Sequence, residues 1–293
     1  MAVAGFERIG PYRPLRAIGS GQACQVVEAL RESTGERAAL KVLAGPRAAD
    51  KSLVALLQHE FEVGETLAHP RVIRFFQFEQ GANFAYLAME LFSAPNLKKH
   101  LQAGGAESLA PWAGQIIEQS AEALAHLHDR GWVHRDVKAD NFLINGAGDV
   151  KLIDLALAQK KKGFFGRLWG GKDRIQGTRS YMSPEQIRGE SLDPRADIYS
   201  YGCMLFELLG GKPPFSGATT SELLNKHLKA APPAIEAANR NVSAAFSRLL
   251  KRLLAKEPGD RPASLHEFLD EFKKLKLWET PPQRAIVRAA PPR

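Results

Sequence analysis

The chain has 293 residues, of which 44% are hydrophobic, so it can bury a sizeable core in one or two domains. Its two cysteines, Cys24 and Cys203, are too few for a disulfide framework, and no apolar run approaches the roughly 18 residues that a membrane-spanning helix needs. Since the N-terminus also lacks a signal-peptide pattern, we expect a soluble cytoplasmic protein. The formal net charge of +8 is compatible with nucleic acid, an anionic membrane or acidic substrates, and equally with a basic surface that faces only solvent.

The first predicted elements are strands. After a leader of residues 1–11, residues 12–42 alternate between apolar runs and turns, which is typical of a β-sheet. Gly19 and Gly21 lie between the first two strands, where a glycine backbone can close over a phosphate and present N–H donors, although such a pair is also typical of an ordinary hairpin turn. The last of these strands is apolar except for Lys41, which indicates either a functional cation or a strand-edge lysine that faces water.

A helix is predicted over residues 53–67, where apolar residues recur with helical periodicity. Gly64 lies one turn after Glu60 in this helix, and because glycine is a poor helix former we expect the helix to be loosely held. Two strands and two helices follow: strands at 72–78 and 84–89, and helices at 97–102 and 112–129.

The next segment, residues 134–141, packs an aspartate, a lysine and an asparagine into six positions between a predicted helix and a short apolar strand. Polar loops of this kind are where catalytic groups tend to lie. Asp154 ends a second apolar run thirteen residues after Asn141, and the two side chains could share Mg²⁺, an ion that takes few protein oxygens and keeps phosphates as ligands. Asp136 would accept a proton from a hydroxyl and Lys138 would neutralise a moving phosphoryl group, so the loop predicts phosphoryl transfer.

The last third of the chain is predominantly helical in pattern. It begins with the polar segment Gly177 to Glu185, which reads G-T-R-S-Y-M-S-P-E. Asp197 opens an apolar helix that runs to Leu209. Further helices are predicted at 219–229, 243–255 and 264–275, and residues 279–293 form a Pro/Arg-rich tail that we expect to be disordered.

Taken in order, these motifs resemble the protein kinase catalytic domain. Residues 134–141 resemble the catalytic loop H-R-D-x-K-x-x-N, Asp154 resembles the aspartate of the D-F-G motif, and residues 177–185 resemble the end of the activation segment. Lys138 is similar to the lysine of the serine/threonine branch, and the short loops and Ala-rich helices resemble its bacterial members.

The resemblance implies an α+β, two-lobed protein kinase fold. A small β-rich lobe is expected over residues 12–92 and a larger, mainly helical lobe over residues 93–278. The implied reaction is ATP-dependent phosphorylation of Ser/Thr hydroxyls in protein substrates, with Mg²⁺, or alternatively Mn²⁺, as the ion. No nucleic acid partner is expected.

The resemblance also implies roles for individual residues. Asp136, Lys138, Lys41 and Glu60 would be catalytic, with Glu62 as the alternative to Glu60, and Asn141 and Asp154 would hold the metal. The nucleotide site would be formed by Ile18, Gly19, Ser20, Gly21, Gln22, Ala23, Cys24, Val26, Ala39, Lys41, Met89, Glu90, Phe92 and Leu143.

Other implied roles are structural. Thr178 would hydrogen-bond Asp136 and Lys138, and Asp197 would hold the backbone of the catalytic loop. Glu185 would be buried with Arg261 as its cation, because a buried charge without a partner is costly. Asn96 could contact ribose or cap the next helix, and the sequence does not decide between the two.

Four residues depart from the family pattern: Cys24, Gly64, Leu155 and Ala156. They motivate an alternative function, a pseudokinase that acts as a nucleotide-binding scaffold, whereas the intact Asp136 and Asp154 favour an active enzyme. A small-molecule kinase of related fold is a second alternative. The segment 177–185 argues against it, because in the family this segment shapes a peptide-docking surface.

Residues 155–176 contain no Ser, Thr or Tyr, although many kinases are activated by phosphorylation in this segment. Arg135, which would pair with the phosphate, is present, and we predict that activity needs no phosphorylation here. Asp173 is either a fixed negative charge in place of phosphate or a solvated residue.

Residues 160–172 mix cations with two Phe, a Leu and a Trp. Three alternatives follow for this loop: packing on the large lobe, docking of a partner or acidic substrate, or insertion at an anionic membrane.

Overall fold

The N-terminal part of the chain folds into an antiparallel sheet. The computed structural model describes residues 7–20, 24–160 and 179–283. The sheet has the strand order β1-β2-β3-β5-β4. Its strands are β1 (Tyr12–Ser20), β2 (Gln25–Arg31), β3 (Arg37–Ala44), β4 (Phe75–Gln80) and β5 (Phe84–Glu90). The predicted strand at 72–78 therefore begins three residues late, because Val72 pairs with Leu152 outside the sheet.

Two helices lie between β3 and β4: α1 (Pro46–Ala49), which the sequence did not predict, and α2 (Lys51–Gly64). Asp50 caps α2, since its carboxylate accepts the backbone N–H groups of Ser52 and Leu53. The buried face of α2 carries Val54, Leu57 and Val63 together with one charged residue, Glu60. This helix therefore presents a single carboxylate to the interior of the small lobe.

The space beside Gly64 is filled by an aromatic ring. Both Gly64 and Phe75 are buried, and a β-carbon built on Gly64 would lie only 2.2 Å from Cδ2 of Phe75. The expectation that α2 is loosely held at its glycine does not agree with this packing. The glycine instead lets the β4 phenylalanine approach the backbone of the helix.

The large lobe is built from helices around α6. They are α3 (Leu97–Leu109), α4 (Ala113–Asp129), α5 (Pro184–Ile187), α6 (Pro194–Gly210), α7 (Thr220–Lys229), α8 (Ala244–Leu253) and α9 (Leu265–Phe272). Helix α6 is buried from Ala196 to Leu209, so it forms the centre of this lobe. Helix α3 is longer than predicted and has a kink at Gly105, whose φ is 67°.

Two short strand pairs hold the polar loops at the edge of the large lobe. Strand β6 (Trp132–Val133) pairs with β9 (Gln159–Lys160), and β7 (Phe142–Ile144) pairs with β8 (Val150–Leu152). The loop 134–141 runs from β6 to β7, and Asp154 follows β8.

The two terminal segments are partly packed. Ile9, in the predicted leader, is fully buried and pairs with Tyr12. At the other end, Glu279 and Thr280 donate backbone hydrogen bonds to Asn241, so the ordered lobe continues past residue 278. The rest of the predicted tail, from 284, lies outside the described residues.

Candidate active site

Three charged side chains meet between the lobes. Lys41 is on β3, Glu60 is on α2, and Asp154 follows β8. The Nζ atom of Lys41 lies 2.7 Å from Oε2 of Glu60 and 3.2 Å from Oδ1 of Asp154. Glu62, the alternative partner, is exposed and accepts a hydrogen bond from Gln58 instead. Glu60 is therefore the helix carboxylate that pairs with Lys41.

The charges of this cluster stabilise one another. Burial alone would lower the pKa of Lys41, but the carboxylates of Glu60 and Asp154 outweigh it and raise that pKa. Burial would raise the pKa of Asp154, yet the ammonium groups of Lys41 and Lys138 prevail and lower it. Burial also raises the pKa of Glu60, and the Lys41 ammonium opposes that effect. The cluster thus keeps a cation beside an ionised, metal-competent carboxylate.

Asp197, at the start of α6, fixes the backbone of the catalytic loop. Its carboxylate accepts the N–H of His134 at 2.7 Å and the N–H of Arg135 at 2.8 Å. Arg135 has a φ of 69°, a left-handed conformation that residues other than glycine rarely adopt, and these bonds hold it there. Burial opposes ionisation of Asp197, but a hydrogen bond from His128 helps to lower its pKa. The contact agrees with the role that the resemblance implied.

Asp136 and Asn141 lie on the same loop, joined by a side-chain hydrogen bond. Lys138 Nζ is 2.5 Å from Oδ2 of Asp136, and the Nδ2 group of Asn141 donates to the main-chain oxygen of Asp136 at 2.9 Å. Because the nitrogen of the Asn141 amide is used in this bond, its oxygen is the candidate metal ligand. The N–H of Ile153 donates to the carbonyl of Asn141 at 2.9 Å, which ties the loop to the segment that carries Asp154.

The oxygen ligands of this site fit Mg²⁺. A metal site made of three or more His, Cys, Asp or Glu side chains does not occur within residues 7–20, 24–160 and 179–283. Asn141 and Asp154 contribute one amide and one carboxylate. Mg²⁺ is commonly bound through few protein oxygens and keeps water and substrate phosphates as its other ligands.

An apolar wall borders the Lys41 cluster. Ile18, Val26 and Phe92 pack against the main core while part of each side chain stays exposed. Ala39 and Met89 are buried neighbours on β3 and β5. These surfaces, with the partly exposed Leu143 of β7, could accept the faces of an aromatic base.

The remaining predicted nucleotide-site residues lie at three places in the chain. Gly19, Ser20 and Cys24 lie at the ends of β1 and β2, and Cys24 is buried and not part of a disulfide. Glu90 ends β5, and its carboxylate is engaged by Lys151 at 2.9 Å. Gly21, Gln22 and Ala23, at the tip of the turn, lie outside the described residues.

The segment after the activation loop is anchored by a buried ion pair. The two terminal guanidinium nitrogens of Arg261 donate to Glu185, at 2.6 and 3.0 Å, and both side chains are buried. This is the pair that the resemblance implied.

Three predicted features lie outside the part of the chain that the structure describes: Thr178, Asp173, and the loop at 161–172 with its Phe and Trp residues. Asn96 accepts the N–H of Lys99 at 2.9 Å, so it caps α3.

Sequence reasoning missed Glu207, a buried carboxylate on α6. It accepts a hydrogen bond from the Tyr181 hydroxyl and lies 2.5 Å from Nζ of Lys98 on α3. Its partners are 26 and 109 residues away in the chain, so no short-range spacing marks it. It connects the segment after the activation loop to α3.

A β-rich lobe, a helical lobe and a lysine–carboxylate cluster beside an aspartate loop define a phosphotransferase of the kinase type. A family model described as the protein kinase domain matches residues 12–272, and the chain therefore belongs to the protein kinase domain family. Among the described residues, no helix is long and apolar enough to cross a membrane.

Three curated relatives are bacterial serine/threonine-protein kinases. The chain is 32% identical to pkn2 of Myxococcus xanthus over 89% of its own length and 32% of that protein. It is 31% identical to PrkC of Bacillus subtilis, covering 90% of the chain and 40% of PrkC, and 31% identical to PknA of Mycobacterium tuberculosis, covering 98% and 67%. The match supports a bacterial-type serine/threonine kinase catalytic domain, and the chain spans between a third and two thirds of these relatives.

Proposed function

We propose that the protein transfers the γ-phosphoryl group of ATP to serine or threonine hydroxyls of protein substrates. The observation that carries this proposal is the assembled cluster: Lys41 bridges Glu60 and Asp154, and the ammonium of Lys138 pairs with the carboxylate of Asp136. The arrangement supplies lysine ammonium groups and carboxylates around the place where the phosphoryl group would move, and phosphoryl transfer needs such charges.

Each charged residue has one task in this proposal. Asp136, oriented by Lys138, accepts the proton of the substrate hydroxyl as that oxygen attacks phosphorus. Lys41 grips phosphate oxygens of the nucleotide, and Glu60 holds the Lys41 ammonium in place. Lys138 then neutralises the negative charge on the transferring group.

The metal-binding role falls to Asn141 and Asp154. Mg²⁺, or alternatively Mn²⁺, supplies Lewis-acid neutralisation of phosphate oxygens when it is bound.

The adenine ring would lie against Val26, Ala39 and Leu143, with the backbone of residues 90–92 as its hydrogen-bonding edge. We assign the small lobe to residues 12–92 and the large lobe to residues 93–280, two residues beyond the predicted boundary of 278. Both cysteines are buried and neither is part of a disulfide, which is compatible with a reducing compartment such as the cytoplasm.

Within the described residues, nothing favours the pseudokinase alternative. Leu155, which replaces the phenylalanine of D-F-G, is fully buried and so keeps an apolar side chain in the core. The backbone N–H of Leu155 donates a hydrogen bond to Glu60. The departure from the family motif therefore leaves the cluster assembled.

The test compares two carboxamide variants with a control. Asp136→Asn should lower kcat by roughly 10²–10⁴-fold, the usual contribution of a general base, while ATP affinity stays near that of the wild type. Asp154→Asn should also lose Mg-dependent nucleotide binding. Asp129→Asn changes an exposed carboxylate of α4 and should alter neither property. If purified wild type bound nucleotide but transferred no phosphate to itself or to a generic protein substrate, the enzyme proposal would fail.

A further inference from the structure

Trp132 is the point at which three functional segments meet. It lies on β6, two residues before His134, and it is buried. Its indole N–H donates to the hydroxyl of Thr66, just after α2, at 3.2 Å. Across the β6–β9 pairing it faces Lys160, whose ammonium lies 4.5 Å from the ring centroid. The catalytic-loop strand, the end of α2 and the start of the activation segment therefore share one side chain.

His59 adds a direct link from α2 to the activation segment. It precedes Glu60 in the chain, and its Nε2 atom lies 2.7 Å from the carbonyl oxygen of Ala158, a fully buried residue. The same imidazole packs edge-on against Trp132, with ring centroids 6.0 Å apart and an interplanar angle of 72°. Since a carbonyl only accepts, Nε2 carries the hydrogen.

This link restricts the motion that matters most for Lys41. Glu60 reaches Lys41 only while α2 stays against the small-lobe sheet, and any outward movement of α2 would have to break the His59 bond and the Trp132–Thr66 bond. Residues 155–176 contain no hydroxyl side chain that could carry a phosphate. Among the residues that the structure describes, Nε of Arg135 is buried and has no hydrogen-bond partner.

We propose that His59 is a positioning residue for phosphoryl transfer: through its bond to Ala158, supported by Trp132, it holds Glu60 on Lys41 without a phosphorylated activation loop. The proposal rests on the kinase function and deepens it, because it states how the active arrangement is maintained. It requires both a donor at Nε2 and the neighbouring indole.

The experiment uses the full chain after phosphatase treatment. His59→Leu removes the donor but keeps a good helix former, whereas His59→Gln keeps an N–H donor on a flexible side chain. We expect His59→Leu to lower kcat/KM for ATP by about tenfold, the range expected for one net hydrogen bond, with a similar melting temperature. His59→Gln should restore most of that loss, which a purely space-filling role would not produce. His266→Leu, at an exposed histidine of α9, is the matched control and should leave the rate unchanged.

A second readout does not depend on activity. Hydrogen exchange at residues 155–160 should be faster in His59→Leu than in wild type, and near the wild-type rate in His59→Gln. Trp132→Phe, which keeps a ring but loses the indole N–H, should accelerate exchange at residues 63–66.

Several results would overturn the proposal. One is full activity and unchanged exchange in His59→Leu, and another is a His59→Gln variant that behaves like His59→Leu in both assays. Loss of wild-type activity on phosphatase treatment would also do so. A wild type that never transfers phosphate would defeat the kinase function itself, whereas the exchange data would still report on the contact.

Discussion

The contact between Gly64 and Phe75 predicts that adding a single methyl group to α2 weakens the enzyme. In Gly64→Ala the new β-carbon would lie 2.2, 2.5 and 2.6 Å from three ring carbons of Phe75. Carbon atoms pack favourably at about 3.5–4.0 Å, so ring and helix must separate by about 1 Å or more. Overpacking of this kind costs about 1–3 kcal/mol, which exceeds the gain of up to about 1 kcal/mol from replacing a helical glycine by alanine.

The effect should reach catalysis because Gly64 and Glu60 share one helix. We expect Gly64→Ala to lower the free energy of unfolding by about 1–2 kcal/mol and to reduce kcat/KM for ATP, as Glu60 is drawn away from Lys41. Phe75→Leu makes room for the methyl group, so the double variant Gly64→Ala/Phe75→Leu should recover part of both losses.

The assay is a double-mutant cycle. Urea unfolding of the four proteins should give a favourable coupling free energy on the order of 1 kcal/mol, as is usual for residues in contact. Gly35→Ala is not a suitable control, because Gly35 has a φ of 72° that disfavours a side chain. Gly146→Ala is suitable, since a β-carbon there meets no atom within 4 Å. A Gly64→Ala protein as stable and active as wild type, or strictly additive effects in the cycle, would refute the packing argument.

Three further predictions concern buried groups. Burial, with help from Lys256, lowers the pKa of His227 from 6.5 to about 4, so its neutral form stabilises the fold fully above pH 6.5 and that contribution is lost as the pH falls towards 4. The loss is on the order of 3 kcal/mol, and urea unfolding of His227→Gln should show a correspondingly shallower decline over this window. Arg261→Ala should lower stability by about 3–5 kcal/mol in thermal unfolding, because it leaves the Glu185 carboxylate buried without its partner, whereas an unchanged melting temperature would contradict this. ATP should slow alkylation of Cys24, while Cys203, whose pKa is raised by burial, should react slowly with or without nucleotide; equal labelling of Cys24 in both states would remove this thiol from the site.

The sequence was sufficient for the motifs whose residues lie close together along the chain. Asp136, Lys138 and Asn141 fall within six positions, so the covalent backbone already confines them to one loop whatever the rest of the fold does. Most of the longer helices were also predictable, because apolar periodicity reports directly which face is buried, whereas the four-residue helices α1 and α5 are too short to show such a pattern. The predicted ends of strands and helices were less accurate where a residue pairs outside its own element, as Val72 does with Leu152.

The tertiary structure decided between alternatives that the sequence left open, and it showed distant contacts for which the sequence had no pattern. Glu60 rather than Glu62 pairs with Lys41, because rotation about the α2 axis buries one carboxylate and exposes the other. Gly64 looked like a weakness until the ring of Phe75 was found to fill the space beside it. The bond from His59 to Ala158 spans 99 residues of sequence and had no detectable pattern. Such contacts depend on how whole elements pack, and packing is fixed by the shapes of all the side chains at an interface rather than by local spacing.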